Sequence, residues 1–372
     1  MKKGFMQLAL LAIMLLTAGA SSSWGQTYKL VKVTSQDEIV SGGLYVFEQK
    51  GYVMIDIISS NSLQTTSSYQ TEIDGTQNYI WTIEGDNNSF KLKNINKSVN
   101  ACYLSYGGSS TNVCWNEKNK ATSWSFTPNN NDTFIIEDLK SSKRYLGYTN
   151  PNSTVYKAYT HSSDPSLDEN TPYFITVYKL TEAVTVTTAG LATYVSTSAL
   201  DYSNVEGLKA YKAKVSGNDV ALTRVGQVPA GEGVLLRATN TLTENTTFDI
   251  PVASTVTSWS DNDFIPGTGE SVATQNGSNY NYILNKVNGV VGFYKAAGNT
   301  VATNRAYLST TATPGARGMV MTFDDDATSI VCLEDEALNH SQETVVYDLQ
   351  GRRVNGDVKK GLYIVNGKKV IK

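Results

Sequence analysis

Short alternations of apolar and polar residues run the length of the chain, rich in Val, Ile, Tyr, Thr and Phe. SFKLKNI, TFIIEDL, YFITVYKL, VALTRV, GVLLRA, YNYILNKV and GMVMTF are examples, each bounded by Gly, Asn, Asp or Ser. A two-residue period puts alternate side chains on opposite faces of a strand, and the bounding residues are those that turn a chain. No long stretch repeats its apolar positions every 3.6 residues. The pattern predicts an all-β protein with at most a turn or two of helix. Gly217-Asn218-Asp219, between KAYKAKV and VALTRV, predicts a hairpin turn.

Within residues 26–180 the alternation repeats. WTIEGDNNSFKLKNINKSVNACYLSY begins at Trp81 and WSFTPNNNDTFIIEDLKSSKRYLGY at Trp124. Each reads as an aromatic strand, an Asn/Asp turn, a strand opened by Phe90 or Phe134, and a closing Tyr103-Leu104 or Tyr145-Leu146. A looser third copy is split across the ends, with GLYVFEQ (43–49) as its Tyr strand and PYFITVYKL (172–180) as its aromatic strand. Three such units are the arithmetic of a β-trefoil. The pattern W-x-I…F-x-L-x-N…Y-L resembles the ricin-B-type β-trefoil repeat. That resemblance implies sugar binding through an aromatic residue and a nearby Asp on each lobe. Here no Gln-x pair precedes Trp81 or Trp124, and the residues themselves read as core that closes the barrel.

Residues 181–331 lack the Trp repeat and read as a second all-β domain, a β-sandwich. VPAGEGVLL, with GVVGFYKA and RAYLS, resembles a segment common in secreted proteins of gut and oral Bacteroidota, a family that implies no particular chemistry. Residues 332–344 form an acidic linker. The run Asp324-Asp325-Asp326 beside it reads as a solvated turn, since calcium loops space their ligands at alternate positions.

Composition sharpens this picture. The 372 residues are 40% hydrophobic and 17% charged, with a net charge of -3 and 22 Tyr against 10 Phe. Charged residues stand below the usual ~25%, their place taken by turn-forming and half-exposed polar types. Lys2 and Lys3 precede the apolar stretch Phe5–Leu16, and small residues follow, so 1–25 reads as a secretory signal peptide. That stretch is too short for a membrane span, which takes ~20 residues. No other segment reads as a transmembrane helix.

Export places the chain where disulfides persist. Cys102 and Cys114 lie equidistant from Gly108 in a hairpin-like segment, and the reading leaves them either bridged or as two buried thiols. Cys332 reads as a small core residue.

Chemistry is sparse. The two histidines, His161 and His340, fall in polar loop-like stretches, and no nucleophile elbow, HExxH, P-loop or Rossmann glycine pattern occurs. No catalytic residue, metal site or cofactor is expected. An acidic body also argues against nucleic acid as a partner. The densest binding signal is YLGYTNPNSTVYKAYTH, with Tyr145, Tyr148, Tyr156 and Tyr159 around Asn150 and Asn152. Tyrosine makes contacts at low entropic cost, so these six are the expected ligand-binding surface, with edge-strand packing as the alternative.

Residues 345–372 are basic, with seven Lys or Arg against Asp348 and Asp357. VYDLQGRRV and KKGLYIVNGKKVIK resemble the end of the type IX secretion C-terminal sorting domain of Bacteroidota. Asp348, Gly351, Arg352, Gly361, Tyr363 and Lys369 carry the likeness. It implies delivery through an outer-membrane translocon to the cell surface or medium, with the secretion machinery as a partner through both termini. A structural cap is the other reading of this short module. The sequence therefore reads as an exported, non-enzymatic protein that binds a glycan or a partner protein. An extracellular glycan hydrolase or peptidase, and a ligand-free spacer, are the competing classes.

Overall fold

The computed structural model describes residues 27–371 apart from 98–99, 109, 130, 141–143, 148–153, 161–173, 255, 312–317, 326–329, 332–345, 348–352, 355–361 and 366–367. The described residues are all-β, in several sheets, with two 3-10 turns at Gln36–Glu38 and Lys118–Lys120. Among them no helix is long and apolar enough to cross a membrane. The chain divides into two compact units, Met1–Val331 and Cys332–Lys372.

The first part of the larger unit holds β1 (Thr27–Lys32), β2 (Leu44–Gln49), β3 (Tyr52–Ser59), β4 (Ser62–Thr66), β5 (Glu72–Asp74), β6 (Trp81–Asp86) and β7 (Ser89–Asn94). There follow β8 (Tyr103–Tyr106), β9 (Val113–Asn116), β10 (Trp124–Pro128), β11 (Phe134–Asp138), β12 (Arg144–Gly147), β13 (Lys157–Thr160) and β14 (Phe174–Val186). Six of these strands close a ring by antiparallel pairing. Phe47 faces Val177, Tyr45 faces Trp81, Gly85 faces Phe90, Phe90 faces Trp124, Thr127 faces Ile135, and Phe134 faces Ile175 back on β14. Three hairpins, β3–β4, β8–β9 and β12–β13, follow the second strand of each pair. They are laced to one another by Leu63 N–H to Tyr156 C=O (2.9 Å), Val113 N–H to Asn61 C=O (3.0 Å) and Ala158 N–H to Thr111 C=O (3.0 Å).

Alternation of apolar residues aims one face of every ring strand inward. Trp81, Trp124, Phe47, Phe126, Phe134 and Leu92 are all fully buried in one cluster. Each second strand also ends on a buried polar residue at the same register: Gln49, Asn94 and Asp138. Asn94 and Asp138 accept the N–H of Asn96 (3.0 Å) and Lys140 (3.1 Å), turning the chain toward the next hairpin. The split third copy is present with one correction. GLYVFEQ occupies the place of the Phe90 and Phe134 strands rather than the Tyr strand, because its register partner is β14 as β7's is β6.

The expected junction at 180/181 falls inside β14, which runs unbroken for 13 residues. Past the ring this strand pairs with β1 on one side, Lys29 facing Thr181. On the other side it pairs with a later strand, Thr246–Ala253, with Thr181 facing Pro251. One apolar cluster accordingly takes Tyr28, Leu30, Val46 and Ile80 from before the junction and Val184, Leu200, Leu236 and Ile250 from after it. The two parts belong to one compact unit, joined by the pairings of β14 and by this shared cluster.

Most of the later strands form a six-stranded and a five-stranded sheet that share a core of Tyr211, Leu222, Leu235 and Phe323 with Phe264, Tyr282, Phe293 and Leu308, while Ala199–Asp201 and Gln227–Val228 extend the first sheet and Ser271–Val272 pairs with Asn299–Thr300. The hairpin at Gly217-Asn218 forms as its sequence suggests, Ser216 facing Asp219 with Gly217 at φ 61°. Asp324 and Asp325 lie in an exposed turn, as the sequence suggests, with Asp326 outside the described residues; Asp324 accepts the Arg224 N–H at 2.9 Å, and Asp325 holds Lys209 at 2.6 Å and Tyr211 at 3.0 Å. In the smaller unit, Val346–Tyr347 lies between Arg353–Val354 and Leu362–Val365, which also pairs with Lys368–Ile371.

Candidate functional site

The tyrosine surface is only partly assembled. Tyr145 and Tyr159 face each other across β12 and β13, both half-buried. Tyr156 is fully buried, donates its hydroxyl to the Tyr52 carbonyl at 3.3 Å, and bridges to Leu63, so it belongs to the core. Tyr148, Asn150 and Asn152 lie outside the described residues, as do His161, His340, Cys332, Asp348, Gly351, Arg352 and Gly361. Tyr363 and Lys369 fall on neighbouring strands, Tyr363 opposite Val370 and Lys369 opposite Ile364.

The bridge between Cys102 and Cys114 is not formed, and both are free thiols. The hairpin register explains this. Cys114 faces Ser105, and Tyr103 faces Asn116, so the turn is centred beyond Gly108 and Cys102 has no cysteine opposite it.

A site that the residue patterns did not flag lies where the ring meets the later strands. Its walls come from three places. The first is the 3-10 turn carrying Glu38 and the Val40–Tyr45 segment that follows it. The second is Lys179-Leu180 on β14. The third comprises Asp201 and Asn204, with Pro251, Val252 and Ala253. Together they line a cleft of about 180 Å³. Tyr45 faces Lys179 in the strand register, and Ala199 faces Ala253 on the opposite wall. Gly43 is required there, since a Cβ would sit 2.6 Å from the Tyr45 ring.

The polar groups of this cleft differ in how far they are committed. Glu38 is saturated. Its Oε1 accepts Thr34 N–H (3.0 Å), Thr34 Oγ1–H (3.0 Å) and Ser35 N–H (3.1 Å), while its Oε2 takes the Lys179 ammonium. Burial pushes the Glu38 carboxyl up, but Lys179 and Thr34 outweigh it and hold the pKa below the usual value. The Tyr45 hydroxyl is likewise committed, accepting Val40 N–H (2.8 Å) and donating to the Glu38 carbonyl (2.9 Å). Burial, with the Asp201 and Glu38 charges, raises its pKa. Asp201 accepts Ser203 N–H and the Gln227 amide, both at 2.9 Å, and makes no ion pair among the described residues. Asn204 is exposed at the rim.

Near this region Glu182 on β14 is buried at 4% exposure and accepts hydroxyls from Tyr194 and Ser196, the latter at 2.8 Å. Burial raises its pKa, and the two hydroxyls only partly offset the rise. A carboxyl whose folded pKa exceeds its unfolded value of ~4.3 stabilises the fold fully below that value. The contribution is lost as pH climbs through the folded pKa. Glu182→Gln, which stays neutral, is therefore expected to gain on the wild type between pH 4 and pH 8 in urea unfolding. A gap that does not change with pH would contradict it.

Among the described residues no three His, Cys, Asp or Glu side chains are grouped to hold a metal ion. No protein-family model and no curated protein matches the chain. Among solved structures it is similar to one described as "Structure and mode of action of a mosquitocidal holotoxin", at 13% identity and a TM-score of 0.29. That likeness covers 76% of this chain and about a third (34%) of that one, and at this score it carries no argument about fold or function.

Proposed function

We propose that the protein is an exported, non-enzymatic binding protein that takes one protruding group of an extracellular glycan or protein into the cleft at Lys179 and Asp201. The observation that carries this reading is the cleft itself. It joins an apolar floor (Leu44, Leu180, Val252) to a few convergent polar groups, the usual anatomy of a recognition pocket. Its volume suits a side chain or a single small ring rather than a polymer segment. Glu38 is committed to the fold through Thr34, Ser35 and Lys179, whereas each Asp201 oxygen accepts a single hydrogen bond.

We read the ring of six strands with three laced hairpins as a β-trefoil, and the two later sheets as a sandwich. The signal-like start and the sorting-like end are then the two halves of an address that leads to the cell surface or medium. Mass spectrometry of the secreted protein tests that address: loss of the C-terminal tail from surface-located protein is expected, and a periplasmic protein retaining Lys372 would overturn it.

Binding is tested on glycan and peptide arrays with the wild type and Asn204→Trp, which plugs the rim from an exposed position. Binding that is lost in the variant, with unchanged thermal unfolding, is the expected result. A ligand held equally by both would remove the cleft from the account. Turnover screens on polysaccharides and peptides are expected to be negative, and activity abolished by substituting one acid would restore the hydrolase class.

A further inference from the structure

We infer that the group taken into this cleft is a basic side chain, lysine or arginine, of a protein partner. This rests on the reading of the cleft as a binding site and goes on to name what enters it.

Three charged side chains line the cleft: two carboxylates, Glu38 and Asp201, against the single ammonium of Lys179. Lys179 is neutralised by Glu38. Asp201 has no such partner among the described residues, and its two hydrogen bonds come from neutral donors, the Ser203 N–H and the Gln227 amide. A carboxylate that accepts one bond on each oxygen retains lone pairs for more. The cleft thus holds one uncompensated negative charge beside an apolar floor, where the dielectric is lower and charge is felt more strongly than in open water.

The floor decides between ligand classes. Val40, Leu44, Leu180, Pro251 and Val252 present aliphatic surface, and Pro251 has no N–H to offer. A sugar ring carries hydroxyls around its whole edge and would leave most of them against this surface unpaired, at a desolvation penalty. It would also find no aromatic face, because Tyr45 is 1% exposed and its hydroxyl is already bonded on both sides. A lysine or arginine has the opposite character: methylenes that lie along aliphatic walls and a cation at the tip. The volume agrees. About 180 Å³ is comparable to a cavity of ~150 Å³ that takes the six heavy atoms of benzene, space for the side chain of lysine or arginine beyond Cβ. An anionic group is disfavoured by the net charge.

The test uses the full mature chain and two small probes followed by NMR titration. One is Nα-acetyl-lysine N-methylamide. The other is its Nε-acetylated form, with the same stem and no charge. The charged probe is expected to bind in the millimolar range and roughly tenfold more tightly than the neutral one. Asp201→Asn is expected to abolish that tenfold difference. Lys179→Gln, which removes the competing cation, is expected to tighten binding of the charged probe several-fold. Equal binding of the two probes by the wild-type chain overturns the inference whatever the variants do. Methyl glucoside bound in place of the lysine probe, and lost in Asn204→Trp, would overturn the basic side chain while sparing the cleft as a binding site. Failure of both probes and of the glycoside to bind would remove the cleft reading together with the inference built on it.

Discussion

Trp124→Ala is expected to lower the unfolding free energy of the larger unit by roughly 3–5 kcal/mol. Trp124 is fully buried and sits at a closure point of the strand ring, facing Phe90 on β7. Its indole N–H donates to the Leu104 carbonyl at 3.2 Å, tying one repeat to the hairpin of another. Alanine leaves a cavity among Phe126, Phe134 and Leu104 and removes the donor from a buried carbonyl. Trp81 makes the same bond to Met54 at 3.1 Å, so the two tryptophans play one role twice. Trp115 is the control. It is only partly buried, with Trp81 stacked on one side at 5.8 Å and Lys97 over its ring at 5.3 Å. Truncating it is expected to cost less than half as much as truncating Trp124. Guanidinium unfolding of the two variants checks the order. A Trp124 variant as stable as the wild type but deficient in sugar binding would mean that this residue is a ligand contact rather than core.

Gly85→Ala is expected to cost roughly 2–4 kcal/mol, measured the same way. Gly85 lies near the end of β6 at φ 146°, opposite Phe90 and just before the two-residue turn Asn87-Asn88. Both asparagines have positive φ, 46° and 57°, as a turn that matches the twist of the paired strands requires. A Cβ on Gly85 would stand 2.0 Å from the Ser89 carbonyl oxygen. That oxygen belongs to the backbone of the paired strand, so no side-chain rotation relieves the clash. Relief needs the hairpin to open at the point that places Trp81 and Phe90 in the ring. Gly217→Ala separates the two causes of strain: φ there is 61° with nothing within 4 Å of the added carbon. Its expected cost is only the left-handed backbone term, about 1–2 kcal/mol. Equal losses at the two glycines would mean that the contact with Ser89 is relieved by a small shift.

How much was legible follows the distance over which each feature is decided. The strands around Trp81, Phe90, Trp124 and Phe134 could be read directly, because a two-residue alternation and Asn-rich turns are local properties. The two tryptophans read as core for the same reason. Tyr156 was misplaced because spacing along a loop-like stretch does not say which of four tyrosines points inward. Its burial comes from the bridge to Leu63, more than ninety residues away. The sequence leaves Cys102 and Cys114 either bridged or as thiols, and register decides between them: symmetry about Gly108 would set them opposite, but the turn centres further along. The cleft left no signal in the sequence, since Glu38, Lys179 and Asp201 have ordinary neighbours and come from three distant segments.

By itself the sequence determined that this chain is all-β, where turns such as Gly217-Asn218 lie, and that its first part is built from repeats. Each of these follows from side-chain periodicity and turn chemistry within about ten residues. Only the tertiary structure decided that six strands close a ring, that β14 continues past it into the later strands, and that Asp201, without an ion pair among the described residues, lines one cleft with Lys179 and aliphatic side chains. Those outcomes depend on which backbone edges pair across long separations, and a strand's edge carries the same N–H and C=O groups whatever its sequence.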